Sequence, residues 1–168
     1  MKRFKGMALT LVGWLLLATP AHAAVGIMPA IASDFPFSSP APDFMYGANL
    51  FYEPLPWLVV RGGVFTGEGT VHFPLSVGYV LPSPAEFQMR PRLEAGIDPY
   101  TDPDGNGNAW HVGMGFDYLP FDNNWVVGLS IQLLFGVIGY PDSLIKGQAK
   151  PVVEPWLVRT EFGIGYKF

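Results

Sequence analysis

The stretch Phe87-Gln88-Met89-Arg90-Pro91-Arg92-Leu93-Glu94-Ala95-Gly96-Ile97-Asp98 alternates without a break. Phe87, Met89, Pro91, Leu93, Ala95 and Ile97 fall on one face of an extended chain, and Gln88, Arg90, Arg92, Glu94, Gly96 and Asp98 on the other. Successive side chains of a pleated strand point to opposite faces, so a period of two reads as β-strand. The next segment repeats the pattern, setting Trp110, Val112, Met114, Phe116 and Tyr118 against His111, Gly113, Gly115 and Asp117. The one after sets Trp125, Val127, Leu129, Ile131, Leu133 and Phe135 against Gly128, Ser130 and Gln132. Each time the large apolar residues share a face.

Working outward, the same alternation recurs in eight segments: 24–32, 44–53, 57–66, 70–80, 87–99, 109–119, 124–136 and 156–168. Most are close to the ~9–11 residues that a tilted membrane-crossing strand needs. Charged residues make up only 14% of the chain, against ~25% in an ordinary soluble domain, while Gly and aromatic residues are plentiful. Half of the surface is therefore expected to face something other than water. The expected fold is all-β, an eight-stranded antiparallel up-and-down transmembrane β-barrel over residues 24–168. The competitor is a soluble barrel of lipocalin type. Against it, the would-be solvent face is rich in Gly and poor in charge, and the aromatics of the apolar face cluster at strand ends.

The N-terminus predicts export. Lys2, Arg3 and Lys5 precede the apolar run from Met7 to Ala18, and Ala21-His22-Ala23 offers a small-x-small cleavage site. Residues 1–23 read as a cleaved secretory signal peptide. Its core of about 12 residues is too short for a spanning helix, which needs ~20. The chain has no Cys, and position 24 is Ala, so neither lipid attachment at the cleavage site nor a disulfide framework is expected. Lys and Arg number 10 against 14 Asp and Glu, and three of the cations lie in the leader. So acidic a chain makes nucleic acid an unsuitable partner.

Loop lengths orient the barrel. Pro54 to Pro56, Leu81 to Glu86 and Pro120 to Asn123 are tight connections, the stretches 33–43, 100–108 and 137–155 are longer, and the short link near Thr66 to Gly69 departs from this rule. Short turns belong to the periplasmic side of such barrels and longer loops to the outside, which puts both termini in the periplasm. The tight turns also resemble one another: Tyr52-Glu53-Pro54 leads to Trp57, Tyr118-Leu119-Pro120 leads to Trp125, and Tyr79 precedes Pro82 by three. Aromatics are expected at the periplasmic interface, with Pro ending each strand.

At the other end, Phe162, Ile164, Tyr166 and Phe168 alternate with Glu161, Gly163, Gly165 and Lys167. This resembles the C-terminal strand of Gram-negative outer-membrane barrels. The resemblance implies that these four residues are an assembly signal read by the barrel-assembly machinery. Over the whole of 24–168 the chain is similar to the small OmpA/OmpX-type barrels without a periplasmic peptidoglycan-binding domain. It implies an integral protein of the cell outer membrane that contacts outer-membrane lipids and meets its surroundings through external loops, with the surface ligand open.

The polar face is expected to line the lumen. Arg61, Arg90, Arg92, Glu94, Asp117, Arg159 and Glu161 share it, and their mixed signs predict a paired network that plugs an interior just wide enough for side chains. Hairpin arithmetic places Arg90 opposite Asp117 and aligns Asn49, Arg61, Ser76 and Arg92 in one row. It sets His111 opposite Gln132 and diagonal to Ser130 and Asp98, a faint Ser-His-Asp arrangement, whereas His72 and Ser76 stand about 13 Å apart at strand rise. Small outer-membrane barrels include lipid A deacylases and acyltransferases. That deacylase group places its His and Ser two apart on a lipid-facing strand, and no His-x-Ser occurs here. The expected role is non-enzymatic, envelope-structural or surface-interacting, without a cofactor. A lipid A-modifying enzyme and a narrow gated channel are the alternatives. Finally, Asp102, Asp104 and Asn106 match the first half of a calcium-loop pattern, though position twelve is Gly113 rather than Glu. A polar hairpin loop favours the same residues.

Overall fold

A computed structural model describes residues 23–37, 42–67, 69–84, 88–102, 105–120, 124–136 and 156–168, the side chains of 102 and 105 excepted. Residues 1–22 of the expected leader and the stretch 137–155 lie outside the described residues. Extended segments follow one another as β1 (Ala24–Pro36), β2 (Asp43–Leu55), β3 (Leu58–Gly67), β4 (Thr70–His72), β5 (Leu75–Val80), β6 (Met89–Asp102), β7 (Gly105–Tyr118), β8 (Trp125–Phe135) and β9 (Trp156–Lys167). Neighbours pair antiparallel, and β9 returns to pair with β1, closing the sheet into a barrel. No described helix is long and apolar enough to cross a membrane.

The barrel has eight strand positions, because β4 and β5 are halves of one strand. Both pair with β3 and with β6, and Phe65↔His72 and Gly62↔Leu75 belong to a single unshifted register. The break falls at Phe73 and Pro74, where proline has no N–H for the ladder. Backbone bonds still bridge it: Gly63 N donates to Pro74 O at 2.9 Å, and Phe73 N donates to Pro99 O at 2.8 Å. The link from β3 to β4 is flanked by the pair Gly67↔Thr70. Its Gly69 sits at φ +88°, a conformation that a side chain would strain.

The two faces settle which side meets water. Arg92 and Arg159 are among the largest fully buried side chains, at 1% and 2% exposure, whereas Ile31 and Leu50 are 62% and 61% exposed. Charges point in and aliphatic residues point out, the reverse of a soluble barrel. Aromatics ring both ends of the outer face. Trp57 lies 6.2 Å from Tyr79, and Trp125 meets Tyr166 edge-on at 5.5 Å, at the end carrying the tight turns. Phe135 and Trp156, 5.9 Å apart, mark the loop end. Apolar side chains also fill the lumen toward each mouth. Met28, Phe51, Val59, Val80 and Val126 cluster near the turn end, and Tyr100, Ala109, Leu134 and Leu157 near the loop end. A Cβ on Gly128, Gly163 or Gly165 would strike Met28, so these three glycines are what admits its side chain.

Several expected details are corrected. β1 runs on to Pro36 and β6 to Asp102, with Gly105 already in β7, so the first and third loops are shorter than 33–43 and 100–108. Arg90 does face Asp117, and Arg61 does face Ser76. The rest of the expected row slips. β2 passes through Pro54 to Leu55 with a register shift after Tyr52, which moves the turn to Pro56 and Trp57; Asn49 then faces Gly63, and Arg61 faces Phe51. Arg92 faces Val80, and Ser76 faces Gly96. His111 faces Leu134, while Gln132 faces Gly113. Every slip is by an even number of residues, because an odd one would turn the charged face to lipid.

Candidate functional site

All seven charges expected in the lumen point inward, and the structure adds Asp34, Glu53, Asp98 and Lys167 to them. These five cations and six carboxylates sort into three tiers, each charge with an opposite partner. At the turn end, Glu53 holds two cations. Arg90 Nη1 lies 3.1 and 3.0 Å from its two oxygens, and Lys167 Nζ 2.9 and 3.0 Å.

In mid-barrel, Arg92 donates to Asp117 and, at 3.0 Å, to Glu94 Oε2. Gly115 is the residue facing Arg92, and a Cβ there would strike the guanidinium. Glycine thus leaves the room in which Arg92 reaches diagonally to Asp117. Gln132 donates to the other Glu94 oxygen at 2.9 Å. Arg61 Nη1 approaches Glu94 Oε2 at 3.7 Å and its Nη2 donates to Glu161 Oε1 at 2.8 Å, where Asn49 also donates at 2.7 Å.

The loop-end tier is built on Arg159. It grips Asp34 with two nitrogens, at 2.6 and 2.7 Å, and donates to Asp98 Oδ2 at 2.6 Å through a third. His72 Nδ1 lies 2.9 Å from the same Asp98 oxygen and 3.2 Å from Arg159 Nη2. A carboxylate only accepts and a guanidinium only donates, so Nδ1 cannot bond to both: in the tautomer that serves Asp98, Nδ1 carries the hydrogen and its 3.2 Å approach to Arg159 is a close contact rather than a hydrogen bond. The His72 ring stacks on Tyr100 with centroids 5.5 Å apart.

Such sharing is how a narrow interior tolerates buried charge, since each unpaired ion would cost several kcal/mol, roughly. Sequence reasoning missed Asp34 because it assigned residues 33–43 to a loop, and missed Glu53 because the Pro that follows it reads as a strand end. Strand parity was the available signal: Asp34 shares its phase with Met28, Ala30 and Ala32, Glu53 with Asn49, and Lys167 with Glu161.

The structure does not assemble the faint triad. His111 is 1% exposed, and neither ring nitrogen has a hydrogen-bond partner among the described residues. The Ser130 hydroxyl accepts from Gln132 Nε2 at 3.4 Å. His72 is engaged by Asp98, while Ser76 sits between Arg61 and Gly96. In the calcium pattern, Asp104 and the Asp102 side chain lie outside the described residues, and Asn106 is exposed at the start of β7. Among the described residues no group of three or more His, Asp or Glu could hold a metal ion. Of the assembly-signal positions, Phe162, Ile164, Tyr166 and Phe168 all point outward on β9 or just past its end.

No protein-family model matches the chain, and comparison with curated proteins gives no match. Solved structures do. The N-terminal β-barrel domain of Pseudomonas aeruginosa OprF is 17% identical, with a TM-score of 0.58 over 86% of this chain and 97% of that one. Neisserial surface protein A is 15% identical, with the same TM-score of 0.58 over 87% and 97%. At these identities the likeness is one of fold, and it agrees with the inverted faces: the chain is a small transmembrane β-barrel.

Proposed function

We propose that the chain is a non-enzymatic integral protein of the outer membrane, with an envelope-structural or surface-interaction role and a lumen closed by its own charges. The observation that carries this reading is the three-tier network, in which every lumen charge is shared and the apolar clusters fill the barrel toward both mouths. A lumen spent on internal pairing offers no continuous polar path, and a lipid-modifying site needs a nucleophile in contact with its base. Ser130 and His111 make no such contact.

In this reading residues 1–23 are removed on export, the assembly machinery reads Phe162 to Phe168, and the tight turns and both termini face the periplasm. The expected behaviour is fractionation with the outer membrane, a gel mobility that changes on boiling, and protection of the turn end from protease added to intact cells. Purified barrel in planar bilayers should show no steady conductance. A large stable open channel, or recovery in the soluble periplasmic fraction, overturns the proposal.

A further inference from the structure

At the turn end, Glu53 supplies one negative charge to two cations, Arg90 and Lys167. Glu53 is the one described side-chain carboxylate paired with these two cations. Arg90 spends a single nitrogen, Nη1, on Glu53, and its Nε and Nη2 have no partner among the described residues. Its side chain is 19% exposed, so this free edge is reachable. Beside it opens a cleft of about 620 Å³ lined by Pro56, Trp57, Tyr79, Leu81, Ser83 and Arg90, among others.

The cleft crosses the rim. Trp57 and Tyr79 are exposed on the outer face, whereas Arg90 and Val80 belong to the inward phase of their strands. An occupant must therefore be apolar where it lies along the aromatics and anionic where it meets the guanidinium. Interfacial Trp and Tyr mark the depth of the lipid headgroups, and the unspent Nε–Nη2 edge is the fork that takes two phosphate oxygens side by side.

We propose that this cleft binds an anionic glycerophospholipid, its phosphodiester on Arg90, with Ser83 as a second polar contact, and its acyl chain along Trp57, Tyr79 and Leu81. The proposal rests on the membrane reading above and deepens it: the ligand is a lipid of the leaflet at the turn end.

The test uses the refolded barrel of residues 24–168, which lacks Trp14, with Trp110, Trp125 and Trp156 changed to Phe, so that Trp57 reports alone, in nanodiscs of phosphatidylcholine. Brominated phosphatidylglycerol and brominated phosphatidylcholine are compared as quenchers at low mole fraction. The expected result is roughly fivefold stronger association of the phosphatidylglycerol, the ratio for ~1 kcal/mol per basic residue. Arg90→Gln should abolish the preference, and Ser83→Ala should weaken it. Lys167 still partners Glu53 in the Arg90 variant, and boiling-dependent mobility checks that each variant is folded. Quenching of Trp57 by both lipids equally, unchanged by Arg90→Gln, overturns the lipid site while leaving the membrane reading intact. No quenching by either lipid overturns both. Loss of the preference on adding inorganic phosphate reassigns the site to free phosphate and overturns the lipid as its ligand.

Discussion

Arg90 and Asp117 face one another across β6 and β7, yet their side chains do not pair: Asp117 is taken by Arg92, two residues along, and Arg90 crosses the mouth of the barrel to Glu53. The choice follows from Gly115, which faces Arg92 and leaves its guanidinium free to lean toward Asp117. In an antiparallel pair a long side chain reaches the diagonal neighbour as readily as the one directly opposite.

Double-mutant cycles should reproduce that choice. Asp117→Ala combined with Arg92→Leu is expected to cost markedly less than the sum of the single changes, because Asp117→Ala alone leaves Arg92 short of one of its two carboxylates. A coupling of about 1–3 kcal/mol is the scale for residues in one network. Asp117→Ala with Arg90→Leu should show a distinctly smaller coupling than the Arg92 pair. Urea unfolding of the barrel in detergent measures both, and a large coupling for the Arg90 pair would contradict the geometry.

Arg159 should be the most costly single charge to remove. It pairs with both Asp34 and Asp98, so Arg159→Met takes one guanidinium from two buried carboxylates at once. Breaking a buried pair costs about 3–5 kcal/mol. Asp34→Asn, which leaves Arg159 still bound to Asp98, should cost distinctly less in the same unfolding measurement. The reverse order would show that the loop-end tier does not depend on Arg159.

The two buried lumen histidines should answer oppositely to the same change. His72 gives its Nδ1 hydrogen to Asp98, so His72→Leu removes a donor from a buried carboxylate and should destabilise by about 1.5–3 kcal/mol, the range for bonds to charged groups. His111 has two ring nitrogens that no described protein group satisfies and lies opposite Leu134. His111→Leu should be neutral or stabilising, because it removes buried polar atoms rather than a pair. Comparable losses for the two variants would mean that His111 has a partner.

Phe168 is expected to matter for insertion more than for packing. It is 75% exposed, touches Tyr166 edge-on at 5.3 Å, and its N–H donates to Val25 O at 2.7 Å, joining the chain end to β1. Phe168→Asp should lower the amount of barrel recovered in the outer membrane several-fold, while detergent-refolded variant keeps most of its stability. Unchanged recovery in vivo would remove this residue from the assembly signal.

The sequence by itself determined the strand parity and, through it, the fold. The alternation in Phe87 to Asp98 states which side chains share a face, and the pleat makes that a local property that no tertiary contact has to supply. It also determined the register of β6 against β7, since the ladder between them carries no shift and is centred near the middle of the 100–108 stretch. Only the closed barrel decided the rest. The shift after Tyr52 moved Asn49 away from Arg61, yet both still meet on Glu161, because long side chains from β2, β3 and β9 converge across the lumen. Glu53 with Arg90 joins β2 to β6, and Arg159 with Asp98 joins β9 to β6. Such partners lie on strands that are not neighbours in the sheet. Which ones meet depends on the shear and closure of the whole barrel, and hairpin spacing carries no record of either.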